Sequence, residues 1–579
     1  MTGVHAVQSV TLGRAPADLV VRGGEVLLPT TRDRVHRDVA IADGAIAAVT
    51  EDASDAIGPD TRTVDASGTV VAPGFVDAHT HLDLHQTVET SYHRSLAGGT
   101  TTAVSEVAAF GPSFGADGVE AFLDATADLP LRVFATVPPQ PVFSMFDPPR
   151  ASDGGASLVD LLDRDRVLGV GETAWPRIVG RDTPAETLYD AAHERNLVVT
   201  GHGAGARGAN LQAFATTVDD DHEAIRAAGI RERAAAGVHV VGRYGTIRDD
   251  VDAFAAAAAD LDPGELSLST DGMWPRELTA EGHMDAVLRR VVEAGVDPVD
   301  AVVMATRTPA RHFGIDGLGT LRPGTPADLV LLSDLSSFAV KTTIVDGSIV
   351  YDGGDPGEPN PPSFSYPDRF VGPVDLDLSA ADLAVPVEAG VDGSVLAIEY
   401  GGGLMTDRTV VDPPVVDGAF VPDPPDLAKV ALYDRHPETD RGGFVGFLVG
   451  FDLDRGAIGT TVTWETPGVL AVGANDEDAA TALAALDGLG GGWVVVDDGE
   501  VVATHATPVG ATCSRRPVEE TAARYDAIES AIRDLGVAVE RPMLGLQTLT
   551  FVGVPSLKLG VEGYADVRAG ETVGLAPES

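Results

Sequence analysis

A chain of 579 residues, 44% of them hydrophobic, holds enough apolar material for two or three packed domains, which excludes a disordered chain. Its 88 acidic and 40 basic residues leave a formal charge of −48, a field that repels nucleic acid and anionic membrane surfaces. The acids are spread over the whole chain, which fits adaptation of the entire surface to high intracellular salt, as in halophiles: at molar salt the screening length falls to about 3 Å and most self-repulsion disappears.

From residue 17 to about residue 68, short extended segments alternate with turn signals: Asp18-Leu-Val-Val-Arg-Gly-Gly, Asp38-Val-Ala-Ile-Ala-Asp-Gly and Thr61-Arg-Thr-Val-Asp-Ala-Ser-Gly. Gly and Asp-Gly steps between β-prone runs predict hairpins. The pattern returns at Ala327-Asp-Leu-Val-Leu-Leu and Lys341-Thr-Thr-Ile-Val-Asp-Gly-Ser-Ile-Val-Tyr. One small composite β-domain, residues 1–72 and 316–355, is therefore expected around a larger inserted domain, residues 73–315.

Within the insertion, eight apolar segments with strand character alternate with helix-compatible stretches. They run up to Asp77, then over 100–105, 131–137, 167–172, 197–202, 214–219, 238–242 and 266–271. Eight strand-then-helix repeats over about 240 residues predict a parallel sheet closed into a (β/α)8 TIM barrel of the α/β class.

Functional groups of such barrels stand at the C-terminal ends of the strands. Val70-Val-Ala-Pro-Gly-Phe-Val-Asp-Ala-His-Thr-His runs an apolar strand into His79 and His81, whose spacing puts both imidazoles on one strand face. Strand four ends at Glu172, strand five at His202, strand six leads to Asp220-Asp221-His222-Glu223, and strand eight closes at Asp271. Taken singly, each has an ordinary reading: His222 as an exposed loop residue, Glu172 as a surface acid, Asp271 as a helix cap. Together, four histidines and two carboxylates on one rim predict a metal centre. His79, His81 and Asp271 are expected to hold one cation and His202 and His222 a second, with Glu172 bridging. Two cations lower the pKa of water and supply a nucleophile at neutral pH. Asp271 is placed to take and return a proton as a carbon bearing nitrogen is attacked and an amine or ammonia leaves. Glu106, after strand two, is a rim candidate for substrate contact. His85, beyond the histidine pair, and His239, within strand seven, are further candidates, with a hydrogen-bonded core histidine as the alternative for His239.

Beyond the barrel, Asp355-Pro-Gly-Glu-Pro-Asn-Pro-Pro predicts a linker over 356–370. An α+β region, 371–579, follows, with helices expected over 479–486 and 518–535. The glycines at 401–403 and 490–492 read as turns, since neither cluster carries the Gly-Lys-Ser/Thr of a phosphate loop. This region is expected to cover the barrel mouth, excluding water, or to support a homo-oligomer. Cys513 is the only cysteine, which excludes an intrachain disulfide and a Cys-x-x-Cys metal site. No apolar run is long enough to span a bilayer, and no basic N-terminal segment precedes an apolar core, so a soluble cytoplasmic protein is expected.

Pro73-Gly-Phe-Val-Asp-Ala-His-Thr-His, Gly98-Gly-Thr-Thr-Thr and Pro323-Gly-Thr-Pro-Ala-Asp-Leu-Val resemble the signature of the amidohydrolase superfamily. Gly201-His-Gly-Ala-Gly, Asp221-His-Glu, Glu281-Gly-His-Met-Asp-Ala-Val-Leu-Arg-Arg and Ala305-Thr-Arg-Thr-Pro-Ala-Arg-His-Phe-Gly are similar to barrel segments of its adenine deaminase family. Arg455-Gly-Ala-Ile, Gly473-Ala-Asn-Asp-Glu-Asp and Gly490-Gly-Gly-Trp-Val-Val-Val-Asp-Asp-Gly resemble that family's C-terminal domain. The resemblance covers nearly the whole chain. It implies hydrolysis of adenine to hypoxanthine and ammonia in purine salvage, at a binuclear site loaded with Mn²⁺ or Fe²⁺, with Zn²⁺ as a further option.

The chain departs from that family on the substrate side. Ser105-Glu-Val-Ala-Ala stands for Asp-Pro-His-Glu, Arg243-Tyr-Gly-Thr for Arg-Glu-Gly-Ser, and Thr270-Asp-Gly for Thr-Asp-Asp. Asp83-Leu-His stands for Glu-Ser-Ser, and Thr463-Trp-Glu-Thr-Pro for a His-Asp-Ser-His-like segment. Tyr244 thereby joins Glu106 as a candidate for purine recognition. Another aminopurine or a cyclic amide is the alternative substrate, and a non-catalytic binding protein on the same fold is the alternative of a different class. Cytidine-deaminase-type zinc chemistry is excluded, because it needs a Pro-Cys-x-x-Cys motif.

Overall fold

The computed structural model describes residues 4–142, 153–179, 183–361, 364–372, 374–435, 442–554 and 556–577. Strands Leu19–Leu28, Asp33–Ala42 and Ala45–Thr50 form an antiparallel meander, and Arg62–Asp65 pairs parallel with the first of them. Val70–Pro73 joins the same sheet and pairs antiparallel with Leu329–Leu332, which continues into Val340–Val345 and Ser348–Tyr351. Segments from both sides of the barrel thus make one sheet. Its Asp43-Gly44 and Asp346-Gly347 turns have positive φ at both central residues, 51° and 74°, then 45° and 72°, the geometry that matches the twist of a two-residue hairpin.

The barrel strands are Phe75–Thr80, Thr100–Glu106, Arg132–Val137, Val167–Ala174, Val198–His202, Asp220–Asp221, His239–Arg243 and Leu266–Ser269, each parallel to the next. The seam between the last strand and the first is closed by fewer bonds. The Asp271 N–H donates to the His79 carbonyl at 3.0 Å, and Thr270 donates to Asp77 through its hydroxyl at 2.6 Å and its N–H at 3.0 Å. These bonds fix the two ends of the chain's barrel segment against each other where His79 and Asp271 emerge.

Strand six differs from the expectation over 214–219. Leu211, Phe214 and Val218 recur at helical spacing: the first two bury one face of helix Gly208–Phe214, and Val218 is buried just past the turn that follows it. The strand itself is the pair Asp220–Asp221, two acids that carry no apolar signal. Both are buried and satisfied. Asp220 meets His312 Nε2 at 2.7 Å, and Asp221 accepts from the N–H groups of Gly203 and Glu223 and from Arg233.

The C-terminal region is a sheet in the order 406–411, 395–400, 443–449, 427–434, 468–473, 457–460, 492–497, 500–506. Helix Asp476–Leu489 packs on it and ends at Gly490 in the left-handed region. Helix Val518–Asp534 lies against the barrel, where Arg276 bonds Glu529 at 2.8 Å. Cys513–Ser514 pairs in parallel with His85–Gln86, so the two regions share backbone hydrogen bonds as well as one apolar core that includes Leu84, Phe110, Trp464, Tyr525 and Phe551. The connector expected as a linker is anchored: Tyr366 and Phe370 are buried, and Phe370 packs on Phe114 with ring centroids 4.2 Å apart. Residues 362 and 363 of that stretch lie outside the described residues. Among the described residues no helix is long and apolar enough to cross a membrane.

Lys558 is a buried cation of this region, donating to the Leu404 carbonyl at 2.9 Å and the Thr548 carbonyl at 3.2 Å. Burial pushes its ammonium down to about 7. Between that value and the ordinary lysine value the unfolded chain binds the extra proton, so stability from this group rises with pH over that window and is flat below it. Denaturation of the wild type and Lys558→Met, compared from pH 7 to 9.5, is expected to show the wild type gaining on the variant by up to about 1.4 kcal/mol per pH unit. A difference that stays constant with pH rules out a titrating Lys558.

Candidate metal centre

The first barrel strand carries His79 and His81 to the rim, and residues 167–174, 198–202 and 220–221 bring Glu172, His202 and His222 beside them. Glu172 is central. Its Oε1 lies 3.3 Å from His79 Nε2, 3.7 Å from His81 Nε2, 3.5 Å from His202 Nδ1 and 3.2 Å from His222 Nε2. Asp271 Oδ1 stands 3.5 Å from His79 Nε2 and 3.3 Å from His81 Nε2. The rings of His79 and His222 stack at 4.0 Å. All six residues are buried.

Two groups of ligand atoms lie within 4.8 Å of one another: His79, Glu172, His222 and Asp271, and His202, His222 and Glu223. His79 Nε2, His81 Nδ1 and both ring nitrogens of His202 and of His222 are buried without a hydrogen-bond partner. Buried polar atoms are rarely left so, and a cluster of orphaned imidazole lone pairs around two carboxylates is the donor set that a divalent cation satisfies. The electrostatics agree. Burial opposes a proton on His79 and His202, yet the carboxylates around them prevail, Asp271 and Glu172 holding His79 well above its usual range and Glu223 and Glu172 raising His202 to about 9. The field that draws protons to these rings equally draws a cation in their place.

Behind these residues stands a layer that fixes them. Glu106 does not line the cavity but lies beneath its floor. Its Oε2 accepts the Glu172 N–H at 2.8 Å, its Oε1 accepts the Thr200 hydroxyl at 3.0 Å and stands 3.6 Å from His79 Nδ1. Gly171 makes room for it, since a Cβ there would come within 2.2 Å of that carboxylate. Arg243, at the end of strand seven, donates to Glu223, to Asp271 Oδ2 at 2.9 Å and to Asp250 at 2.7 Å. Burial raises Glu223 and Asp271, but Arg243 first and the neighbouring imidazoles next outweigh it, holding Glu223 near about 2 and Asp271 well below its usual range.

The remaining substrate-side candidates are placed elsewhere. His239 begins its strand, below the rim, where Nε2 meets Ser267 at 2.7 Å and the ring stacks on His312 at 4.2 Å. It is a core histidine, and burial holds its imidazole well below the usual value. The Tyr244 hydroxyl donates outward to Glu281 at 2.7 Å. His85 lies in the seam with the C-terminal region, its Nδ1 2.8 Å from the Tyr525 hydroxyl and its ring 4.3 Å from Trp274. None of these three lines the cavity above the histidines.

Residues that do line this narrow cavity, and that local pattern did not single out, include Glu223 and Ile247 from the barrel and Leu404, Trp464, Glu465 and Phe551 from the C-terminal region. Trp464 lies 5.5 Å from His81 and 5.0 Å from Phe551, and Phe551 lies 5.3 Å from His202, all between ring centroids. The second region is therefore the roof of the site. Glu223 was within reach of sequence reasoning, since it follows His222 directly. Of the roof, the family resemblance marks Thr463-Trp-Glu-Thr-Pro as a substrate-side segment, but nothing in the sequence ties Leu404 or Phe551 to the histidines.

Residues 70–350 match the amidohydrolase family, and residues 403–571 match the adenine deaminase C-terminal domain. An adenine deaminase of Moorella thermoacetica is 33% identical, across 98% of this chain and 97% of that protein. One from Methanothrix thermoacetophila is 30% identical across 96% of each, and one from Halalkalibacterium halodurans is 29% identical across 97% of this chain and 96% of that protein. Barrel, rim and roof thus share one ancestry over nearly their full length, and the chain belongs to the adenine deaminase family of the amidohydrolases, metal-dependent hydrolases that act on carbon–nitrogen bonds.

Proposed function

We propose that the protein is an adenine deaminase, hydrolysing adenine to hypoxanthine and ammonia. The observation that carries this reading is the meeting of the six rim residues, five of which line the cavity together with Trp464 and Phe551 from the adenine-deaminase C-terminal match. His79, His81, His202, His222, Glu172 and Asp271 are the residues proposed to hold two divalent cations, Mn²⁺ or Fe²⁺ before Zn²⁺, with Glu223 close enough to contribute. When bound, such cations lower the pKa of water and supply the nucleophile. Asp271 accepts the proton released as water adds to the carbon bearing the exocyclic amine, and returns it to the departing nitrogen. Glu106 keeps Glu172 and His79 in orientation, and the aromatic roof excludes bulk water.

A small-molecule substrate, a cytoplasmic location, a homo-oligomeric assembly, a high-salt habitat and the absence of a nucleic-acid partner complete the reading; the charge of −48 supports the last two. The test is ammonia release from adenine by protein kept in molar KCl and loaded with Mn²⁺, with bound metal measured on the same sample. Turnover that a chelator removes and Mn²⁺ restores is the expected result. Two bound ions per chain without turnover of adenine discards adenine and turns the assay to other aminopurines and cyclic amides.

A further inference from the structure

Glu465 sits in the roof in an unusual state. Its backbone is left-handed, with φ of 61°, a conformation that a non-glycine residue adopts at a cost and that recurs at functional sites. Hydrogen bonds around it hold that turn: the Trp464 N–H donates to the Gln547 carbonyl at 3.3 Å and the Thr463 hydroxyl to the Thr466 carbonyl at 2.8 Å. The carboxylate shares the cavity wall with Glu172, Asp271 and the histidines. Its Oε1 accepts from Arg177 Nη2 at 2.6 Å, and Gln140 Nε2 stands 3.4 Å away. Its Oε2 is buried and has no hydrogen-bond partner.

Arg177 follows the strand that carries Glu172, and its side chain is 2% exposed against 10% for Glu465. The arginine is therefore an anchor that aims the carboxylate. It fixes one oxygen and leaves the other as an unpartnered buried acceptor on a residue that lines the cavity. A buried acceptor without a donor is costly unless a ligand brings one.

We propose that Glu465 reads the substrate, its Oε2 accepting a hydrogen bond from a ring N–H of the bound base. This rests on the deaminase reading above and narrows it. The site selects a free heterocyclic base that carries a ring N–H, and discriminates against one alkylated or glycosylated at that nitrogen. Glu465 belongs to Thr463-Trp-Glu-Thr-Pro, the segment in which this chain departs from the pattern of the family it resembles.

Glu465→Gln separates recognition from support. The amide oxygen can still accept from Arg177, while its NH₂ group replaces Oε2 and presents a donor to a donor. Titration calorimetry with purine, which keeps the ring N–H and has no amine to lose, reads the contact without turnover. The dissociation constant for purine is expected to rise about 10²-fold in Glu465→Gln, with bound metal and thermal midpoint at wild-type values. An unchanged constant overturns the proposal and leaves Glu465 as a support for Arg177. Glu465→Ala is the second variant: loss of purine binding in both, with metal retained, upholds the assignment. A wild type that binds purine through Glu465 but releases no ammonia from adenine overturns the deaminase reading alone, and a wild type that releases ammonia from adenine but binds no purine overturns the Glu465 assignment alone.

Discussion

Asp271→Asn lowers kcat for ammonia release by about 10²- to 10⁴-fold, the share of a rate that a positioned general acid–base group supplies. The geometry makes this substitution informative. Asp271 is held at the barrel seam by its N–H bond to the His79 carbonyl, at a φ of 50°, with Arg243 on Oδ2 and the His79 and His81 imidazoles near Oδ1. An amide of the same shape keeps only one oxygen, so it serves either Arg243 or the histidines and turns a donor to the other, while the backbone N–H bond that closes the seam is untouched. What the amide cannot do is take a proton. Steady-state kinetics run beside metal analysis separate the two roles assigned to this residue. Wild-type metal content with the rate lost identifies the proton carrier, whereas lost metal with the rate lost identifies a ligand. Undiminished turnover at wild-type metal content removes Asp271 from the mechanism.

How far the sequence makes this architecture legible depends on whether a feature is local. The strand entering His79 and His81 shows because Val70, Val71, Phe75 and Val76 form an apolar run that ends at two polar imidazoles, and the run is buried as such patterns predict. The Asp-Gly hairpins show because only a few residues adopt positive φ at low cost. Strand six hides because two buried aspartates replace the apolar residues, their charge being satisfied by Arg233 and His312, partners distant in sequence. Glu106 is misread for a similar reason. A carboxylate at a strand end is equally suited to face the substrate or to sit beneath the ligands, and only Gly171, which leaves the space, decides between them. The roof is beyond any local pattern, since Trp464 and Phe551 reach His81 and His202 only after a complete second sheet has formed.

Arg243→Met is expected to destabilise the metal-free protein by roughly 3–5 kcal/mol, the cost of leaving buried charge unpaired. Arg243 is among the largest fully buried side chains, and it faces Glu223, Asp271 and Asp250 together. With the guanidinium present, burial is overcome and Glu223 is held down to about 2. That depressed value contributes stability above the ordinary glutamate range, which is lost as pH falls through about 2. Without the guanidinium, the largest opposition to burial is gone and the carboxyls of Glu223 and Asp271 move upward, the imidazoles alone holding them down. The variant is then penalised most near neutral pH and relieved as acid protonates them, so the gap between wild type and variant narrows on acidification. Denaturant titrations of both proteins from pH 7 to pH 4 in molar KCl, where surface charges are screened, measure that gap. Divalent cations supply positive charge to the same carboxylates. Added Mn²⁺ is therefore expected to recover more stability for Arg243→Met than for the wild type. Equal recovery in the two proteins detaches Arg243 from the metal centre, and a gap that ignores pH shows that the three carboxylates do not depend on it.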